Sequence, residues 1–134
     1  MASTQLSAHL PADAKALAEL RRRVNELLVS AGIAESNRRD ALLVANELAA
    51  NAIEHGSRAT DEIEIQCSLD GRHLRLAVLD EARSPTIATA YAPRAERVRG
   101  RGLQVVDRLT DSWSETIIGG RRRITARLTL QFDD

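Results

Sequence analysis

Aromatic side chains are nearly absent: the 134 residues include one Trp, one Tyr and one Phe. Any core must therefore be built from Leu, Ile, Val and Ala. The single cysteine, Cys67, excludes an intramolecular disulfide. Its place on a strand-like alternation points to a buried, inert thiol in a reducing compartment. Excess charge of either sign is also missing. Lys+Arg and Asp+Glu number 19 each, for a formal net charge of zero, so nothing global recommends nucleic acid or an acidic membrane as a direct partner. No run approaches the roughly 18 apolar residues that a spanning helix requires. The start, "MASTQLSAHLPADAK", lacks a basic stretch followed by a long apolar one, so a cytoplasmic, unexported protein is expected.

What remains is ordinary globular usage, 28% charged and 43% hydrophobic, and the length fits one domain spanning residues 1–134. After a short extended start, Pro11 stands where a first helical turn can begin, and Leu17, Leu20, Val24, Leu27 and Leu28 recur at helical steps up to Gly32. Ser36 or Asn37 can cap a second helix with an apolar row of Leu42, Leu43, Leu48, Ala49, Ala52 and Ile53, ending near His55 and Gly56. The stretch "EIEIQCSLDGRHLRLAVLD" alternates in period two on either side of Asp70-Gly71, which reads as a β-hairpin. Residues 81–99 form a long aperiodic segment, of a kind that often serves as a lid or binding loop. "GRGLQVVDRL" then opens a short helix, and two strands follow around Gly119-Gly120, the last presenting Ile124, Ala126, Leu128 and Leu130 on one face. The order helix, helix, strand, strand, loop, helix, strand, strand predicts an α+β fold: a two-layer α/β sandwich with helices on one face of a mostly antiparallel sheet.

Three features carry chemistry. In "NELAANAIEHG", Glu47, Asn51 and His55 follow at four-residue steps and share a helix face. Glu47 can orient or deprotonate a hydroxyl, and the amide oxygen of Asn51 suits Mg²⁺ held mainly by phosphates and water. His55 can instead serve the helix C-terminus through the dipole, and a polar row is in general the solvated side of a helix. Asp80 shares parity with Leu74, Leu76 and Val78. It points inward if the pleat continues, where it needs a partner, and outward if the strand has ended. Gly100 and Gly102 flank Arg101 at a helix start, where free backbone N–H groups favour an anion. Arg97, Arg99 and Arg101 add positive charge there, although in a chain this rich in arginine a solvated cluster is the more common explanation.

The order and spacing of these parts resemble the histidine-kinase-like (GHKL) ATPase superfamily and, within it, the anti-sigma factor serine/threonine protein kinases. "NELAANAIEHG" looks like that branch's N box, "LAVLD" like the strand leading to its adenine-binding aspartate, and "GRGLQVVDRLTDSW" like its second glycine box. The resemblance implies a Bergerat-type ATP-binding fold, with ATP and Mg²⁺ as ligands. It implies that Glu47 is the general base, that Asn51 binds the Mg²⁺ bridging the ATP phosphates, and that Asp80 accepts a hydrogen bond from the adenine amino group. Gly100, Arg101, Gly102 and Leu103 would close the phosphate site beneath a lid of residues 81–99.

The implied partners are an RNA polymerase sigma factor and a STAS-type anti-sigma factor antagonist, phosphorylated on serine or threonine, with the kinase acting as a homodimer. Two positions depart from the pattern. Ala82 in "DEARSP" stands where the first glycine box commonly has glycine, and the threonine often found near the adenine before the final strand has only Thr125 as a candidate. Ala82 favours an alternative: a non-catalytic binding module of the same fold that sequesters a regulatory partner with little or no nucleotide dependence.

Overall fold

In the computed structural model, the described residues are 4–55, 62–81 and 102–133. Five strands and three helices make up this part of the chain: β1 (Thr4–Pro11), α1 (Ala14–Ser30), α2 (Glu35–His55), β2 (Glu62–Asp70), β3 (His73–Glu81), α3 (Gly102–Leu109), β4 (Ser112–Ile118) and β5 (Arg121–Thr129). The strands form one antiparallel sheet in the order β1-β2-β3-β5-β4. The helices pack on one face of it, with α2 in the middle, touching α1, α3 and the central strands. This is the expected α+β two-layer architecture.

Both hairpins follow from their turn residues. Gly71 and Arg72 join β2 to β3 with Gly71 at φ 61°. Gly119 and Gly120 join β4 to β5 with φ values of 56° and 79°. Two successive positive φ angles match the right-handed twist of a hairpin and strain any residue with a Cβ, so the Gly-Gly pair defines this turn.

Three boundaries differ from the sequence expectation. The extended start is a full strand, β1, paired with β2 from Thr4↔Leu69 to Pro11↔Glu62. Pro11 therefore ends a strand rather than opening a helix, and it is tolerated because β1 lies at the sheet edge, where a missing N–H breaks no inner ladder. The cap of α1 is Asp13, whose Oδ1 accepts from the backbone N–H groups of Lys15 at 3.0 Å and Ala16 at 3.2 Å. Helix α2 begins at Glu35, ahead of both expected caps. Asn37 has a different task there: its Oδ1 accepts from the backbone N–H of Gln131 at 3.0 Å, tying the C-terminal segment to the helix.

The core lies between α2 and the sheet. Ala41, Val44, Ala45, Leu48, Ala49 and Ala52 are buried on α2, and their small size lets the helix lie close to the strands. They meet Ile63, Ile65, Leu74, Leu76, Val78, Ile124, Ala126 and Leu128. Leu43 does not join this row and is 44% exposed. Cys67 faces the core and is buried, which pushes its thiol up to about 12, the inert state expected of it. The other sheet face is polar and carries Arg75, Arg121, Arg123 and Arg127, of which Arg121 pairs with Glu64 at 3.3 Å. No described helix is long and apolar enough to cross a membrane.

Candidate functional site

Helix α2 delivers the first two candidate residues. At about 100° per residue, Glu47 and Asn51 lie within about 40° of each other, beside the buried stripe of Val44, Leu48 and Ala52. Leu43, about 40° further round, marks the solvent edge. Both polar side chains are half-buried, and neither has a hydrogen-bond partner among the described residues. The row is therefore not the fully solvated face of the helix but a polar margin next to the core. His55 ends the helix, and its side chain lies outside the described residues.

Asp80 turns inward, as its parity allows. It is 1% exposed near the end of β3, on the helix-covered face with Leu74, Leu76 and Val78. Its partner comes from the chain itself. Arg122, 5% exposed, is the residue opposite Asp80 in the β3–β5 ladder. Its Nη2 donates to Oδ2 of Asp80 at 2.6 Å and its Nε to Oδ1 at 3.3 Å, a two-pronged grip on both carboxylate oxygens. On the other side of the guanidinium, its Nη1 is 3.8 Å from Oε2 of Glu115 on β4, whose side chain is 7% exposed. One cation thus bridges two buried carboxylates across three strands. Such a pair survives burial only because its geometry offsets the cost of taking the charges out of water.

The third part is the start of α3. Gly102 is its first residue, and Leu103 is partly buried against the core. Gly100 and Arg101 lie outside the described residues, as do Ala82 and the rest of the proposed lid beyond Glu81. The far end of α3 is anchored by Trp113, whose Nε1 donates to Oδ1 of Asp107 at 2.9 Å, and by Thr110, whose Oγ1 donates to the carbonyl of Val106 at 2.7 Å.

Thr125 does not stand in for the threonine expected near the adenine. It pairs with Ala77, and its odd position turns it to the face away from Asp80. The β5 residue beside Asp80 is Arg122. Sequence reading missed Arg122 and Glu115. A signal for Arg122 existed, since it shares parity with Ile124, Ala126 and Leu128 and so sits at an inward position of an apolar strand.

The donor set fits a Mg-nucleotide in kind. Asn51 offers a neutral oxygen, and the described residues include no cluster of three or more His, Cys, Asp or Glu that would hold a cation unaided. A hard cation beside Asn51 would rely on phosphate and water oxygens. Asp80 suits an amino donor, but its oxygens are already engaged by Arg122.

A family model described as the histidine kinase-like ATPase domain matches residues 10–128. The chain belongs to this family. Membership implies a nucleotide-binding domain. No curated protein gives a significant match. Among solved structures, the RsbU and RsbW domains of Rv1364c from Mycobacterium tuberculosis are similar at 21% identity and a TM-score of 0.71, covering 98% of this chain. This chain spans only 35% of that one. The SiaB-SiaC complex from Pseudomonas aeruginosa is similar at 14% identity and a TM-score of 0.69, over 94% of this chain and 89% of that one. The catalytic domain of the histidine kinase ThkA is similar at 15% identity and a TM-score of 0.59, over 99% of this chain and 100% of that one. At these identities the likeness is one of fold. The histidine kinase-like ATPase fold places α2, with Glu47 and Asn51, on the same sheet face as Asp80.

Proposed function

We propose that the protein is an ATP-dependent serine/threonine protein kinase acting as an anti-sigma factor, which binds a sigma factor and phosphorylates an anti-sigma factor antagonist. The observation that carries this reading is the inward, buried carboxylate of Asp80 on the same sheet face as the α2 helix bearing Glu47 and Asn51. Support also comes from the family match and from the RsbW domain and SiaB among the proteins of similar fold.

In this reading Asp80 selects the adenine through its amino group, and Asn51 helps to hold Mg²⁺ against the phosphates. The backbone amides of Gly100, Arg101, Gly102 and Leu103 receive the phosphate oxygens, and residues 81–99 cover the site. ATP brings the γ-phosphoryl group, with Mg²⁺ neutralising its charge. Glu47 takes the proton of the acceptor hydroxyl as its oxygen bonds to phosphorus and ADP departs. Catalysis of this kind rests on positioning and charge neutralisation more than on covalent chemistry.

The test is incubation of the purified chain with labelled ATP and STAS-type antagonist proteins, beside a Glu47→Ala variant. Loss of the base should reduce transfer by about 10² to 10⁴-fold while ATP binding is retained. Equal transfer by both chains would remove Glu47 from the mechanism.

The second reading is the binding module with little nucleotide dependence, and the Arg122 grip on Asp80 favours it. It predicts partner capture unchanged by ATP and no phosphate on any partner. Under either reading we take residues 1–134 as one cytoplasmic domain that forms a homodimer through α1 and the β1 region. A monomer in sedimentation at micromolar concentration would refute the dimer.

A further inference from the structure

The sheet face turned away from the helices carries an arrangement that no step of the proposed function uses. The strand registers put Ser7, Gln66, Ala77, Thr125 and Ser114 side by side across all five strands. All are uncharged and most are short, so this row is a low floor. Two residues along the strands on one side, Arg75 stands directly opposite Arg127. Two residues along on the other side, Arg123 stands between Leu79 and Thr116. The two walls are about 13 Å apart, at about 3.3 Å per residue.

The sheet itself gains nothing from these charges. Like charges at directly opposed positions on neighbouring strands repel and cost stability. Among the described residues, no acceptor meets the side chain of Arg75, Arg123 or Arg127, and the Nε of Arg123 is buried without one. The nearby acids are engaged or stand apart. Glu64 accepts from Arg121 at 3.3 Å and from Gln66 at 3.0 Å, and Asp111 accepts from Thr129 at 2.6 Å. Neither Glu62 nor Asp70, at the two ends of β2, pairs with an arginine. Arg75 and Arg123 are half-buried, so their stems are already held against the sheet and lose little further freedom when a ligand binds.

We propose that this trough is a docking surface for an acidic segment of a protein partner, whose carboxylates meet Arg75 and Arg127 on one wall and Arg123 on the other. A guanidinium fork matches a carboxylate through two hydrogen bonds, and the low floor admits the segment's backbone between the walls. Because the formal net charge of the chain is zero, the basic character is local, and it directs an acidic partner to this patch. A nucleic acid fits less well. Among the described residues the face has no aromatic side chain on which a base could stack, and Glu62, Glu64 and Asp70 line its margin. The trough is on the opposite side of the sheet from α2 and Asp80, so an occupant leaves the nucleotide site open.

The experiment is fluorescence anisotropy of a short labelled peptide of alternating Glu and Ser, with its Gln-Ser counterpart and a single-stranded DNA of equal length as comparisons. Each is titrated with wild type, the double variant Arg75→Gln/Arg127→Gln, Arg123→Gln and Arg39→Gln. Arg39, exposed on α2, controls for the loss of a charge outside the trough. Thermal melts check that each variant is folded. Docking predicts that wild type binds the Glu peptide and not the Gln one, and that the trough variants bind it at least about 10-fold more weakly. Arg39→Gln should change the affinity by no more than about 2-fold. If Arg123→Gln does not fold, Arg123→Lys, which keeps the charge but loses the fork, should weaken binding in the same direction.

A loss in Arg39→Gln equal to that in the trough variants would reduce the binding to general charge attraction and overturn the proposal. Affinity unchanged in the trough variants, or no binding of the Glu peptide by wild type at millimolar concentration, would overturn it as well. Tighter binding of the DNA than of the peptide would overturn the protein partner in favour of a nucleic acid. None of these readings involves ATP, so the assignments of Glu47, Asn51 and Asp80 stand or fall separately.

Discussion

Leu48 and Leu43 lie five positions apart on α2 and look alike in the sequence, yet truncating them should have opposite consequences. Leu48 is 0% exposed, on the stripe facing the sheet, and its neighbour Glu47 is a candidate site residue. Replacing it with Ala removes three carbons, about 2.4 kcal/mol at about 0.8 kcal/mol each. The void left against the sheet adds to this, and the total should fall between about 2.7 and 5 kcal/mol. At about 4 °C per kcal/mol for a chain of this length, the melting midpoint should drop by roughly 10 to 20 °C. Leu43 is 44% exposed. Its truncation leaves no cavity, and the higher helix propensity of Ala offsets part of the lost contact, so the change should stay within about 0.5 kcal/mol. Urea unfolding followed by circular dichroism reads both, with the slope against denaturant confirming that the unfolded state has not changed. A loss under about 1 kcal/mol at Leu48, or an equal loss at the two positions, would refute the placement of α2 on the sheet.

Two further outcomes follow from contacts at the start of α1 and on the open sheet face. Asp13→Ala should cost about 1 kcal/mol, because it frees the N–H of Lys15 and leaves that of Ala16 only the Asp13 carbonyl at the start of α1; an unchanged unfolding midpoint would remove Asp13 as the cap. Glu64 is held below its ordinary value of 4.5 chiefly by the hydrogen bond from Gln66, with help from Arg121 and His9 and against the cost of desolvation. A depressed folded value means that its contribution is full above pH 4.5 and is lost as pH falls through the folded value. Wild type should therefore lose more stability than Glu64→Gln on acidification below about pH 4.5, and parallel stability curves for the two would contradict this.

Local pattern determined much of this protein. The period of Leu17, Leu20, Val24 and Leu28 fixed α1, and the alternation from Ile63 to Val78 fixed a hairpin whose turn Gly71 permits. Gly119 and Gly120 fixed another. With the strand and helix order, this sufficed for the α+β class. The shared helix face of Glu47 and Asn51 and the parity of Asp80 were also legible, because parity and helical steps are properties of a single segment. β1 was not, since "TQLSAHLP" becomes a strand only through pairing with β2, 51 to 65 positions further along. Leu43 was misplaced because a helix's apolar stripe is narrower than its list of apolar residues, and only the sheet decides where the stripe ends.

The least legible feature is the one nearest the chemistry. Asp80 and Arg122 are 42 residues apart, and each segment by itself reveals only a parity that allows its charge to point inward. That the two charges meet, with Glu115 on the far side, depends on β5 inserting between β3 and β4 in a register that aligns Asp80 with Arg122. Strand order and register are settled by the packing of the whole sheet, because a slip of one residue would turn every core side chain on β5 to the wrong face. The sequence alone determined only the strand parity that allows Asp80 and Arg122 to face inward. Only the tertiary structure decided which partner each would find.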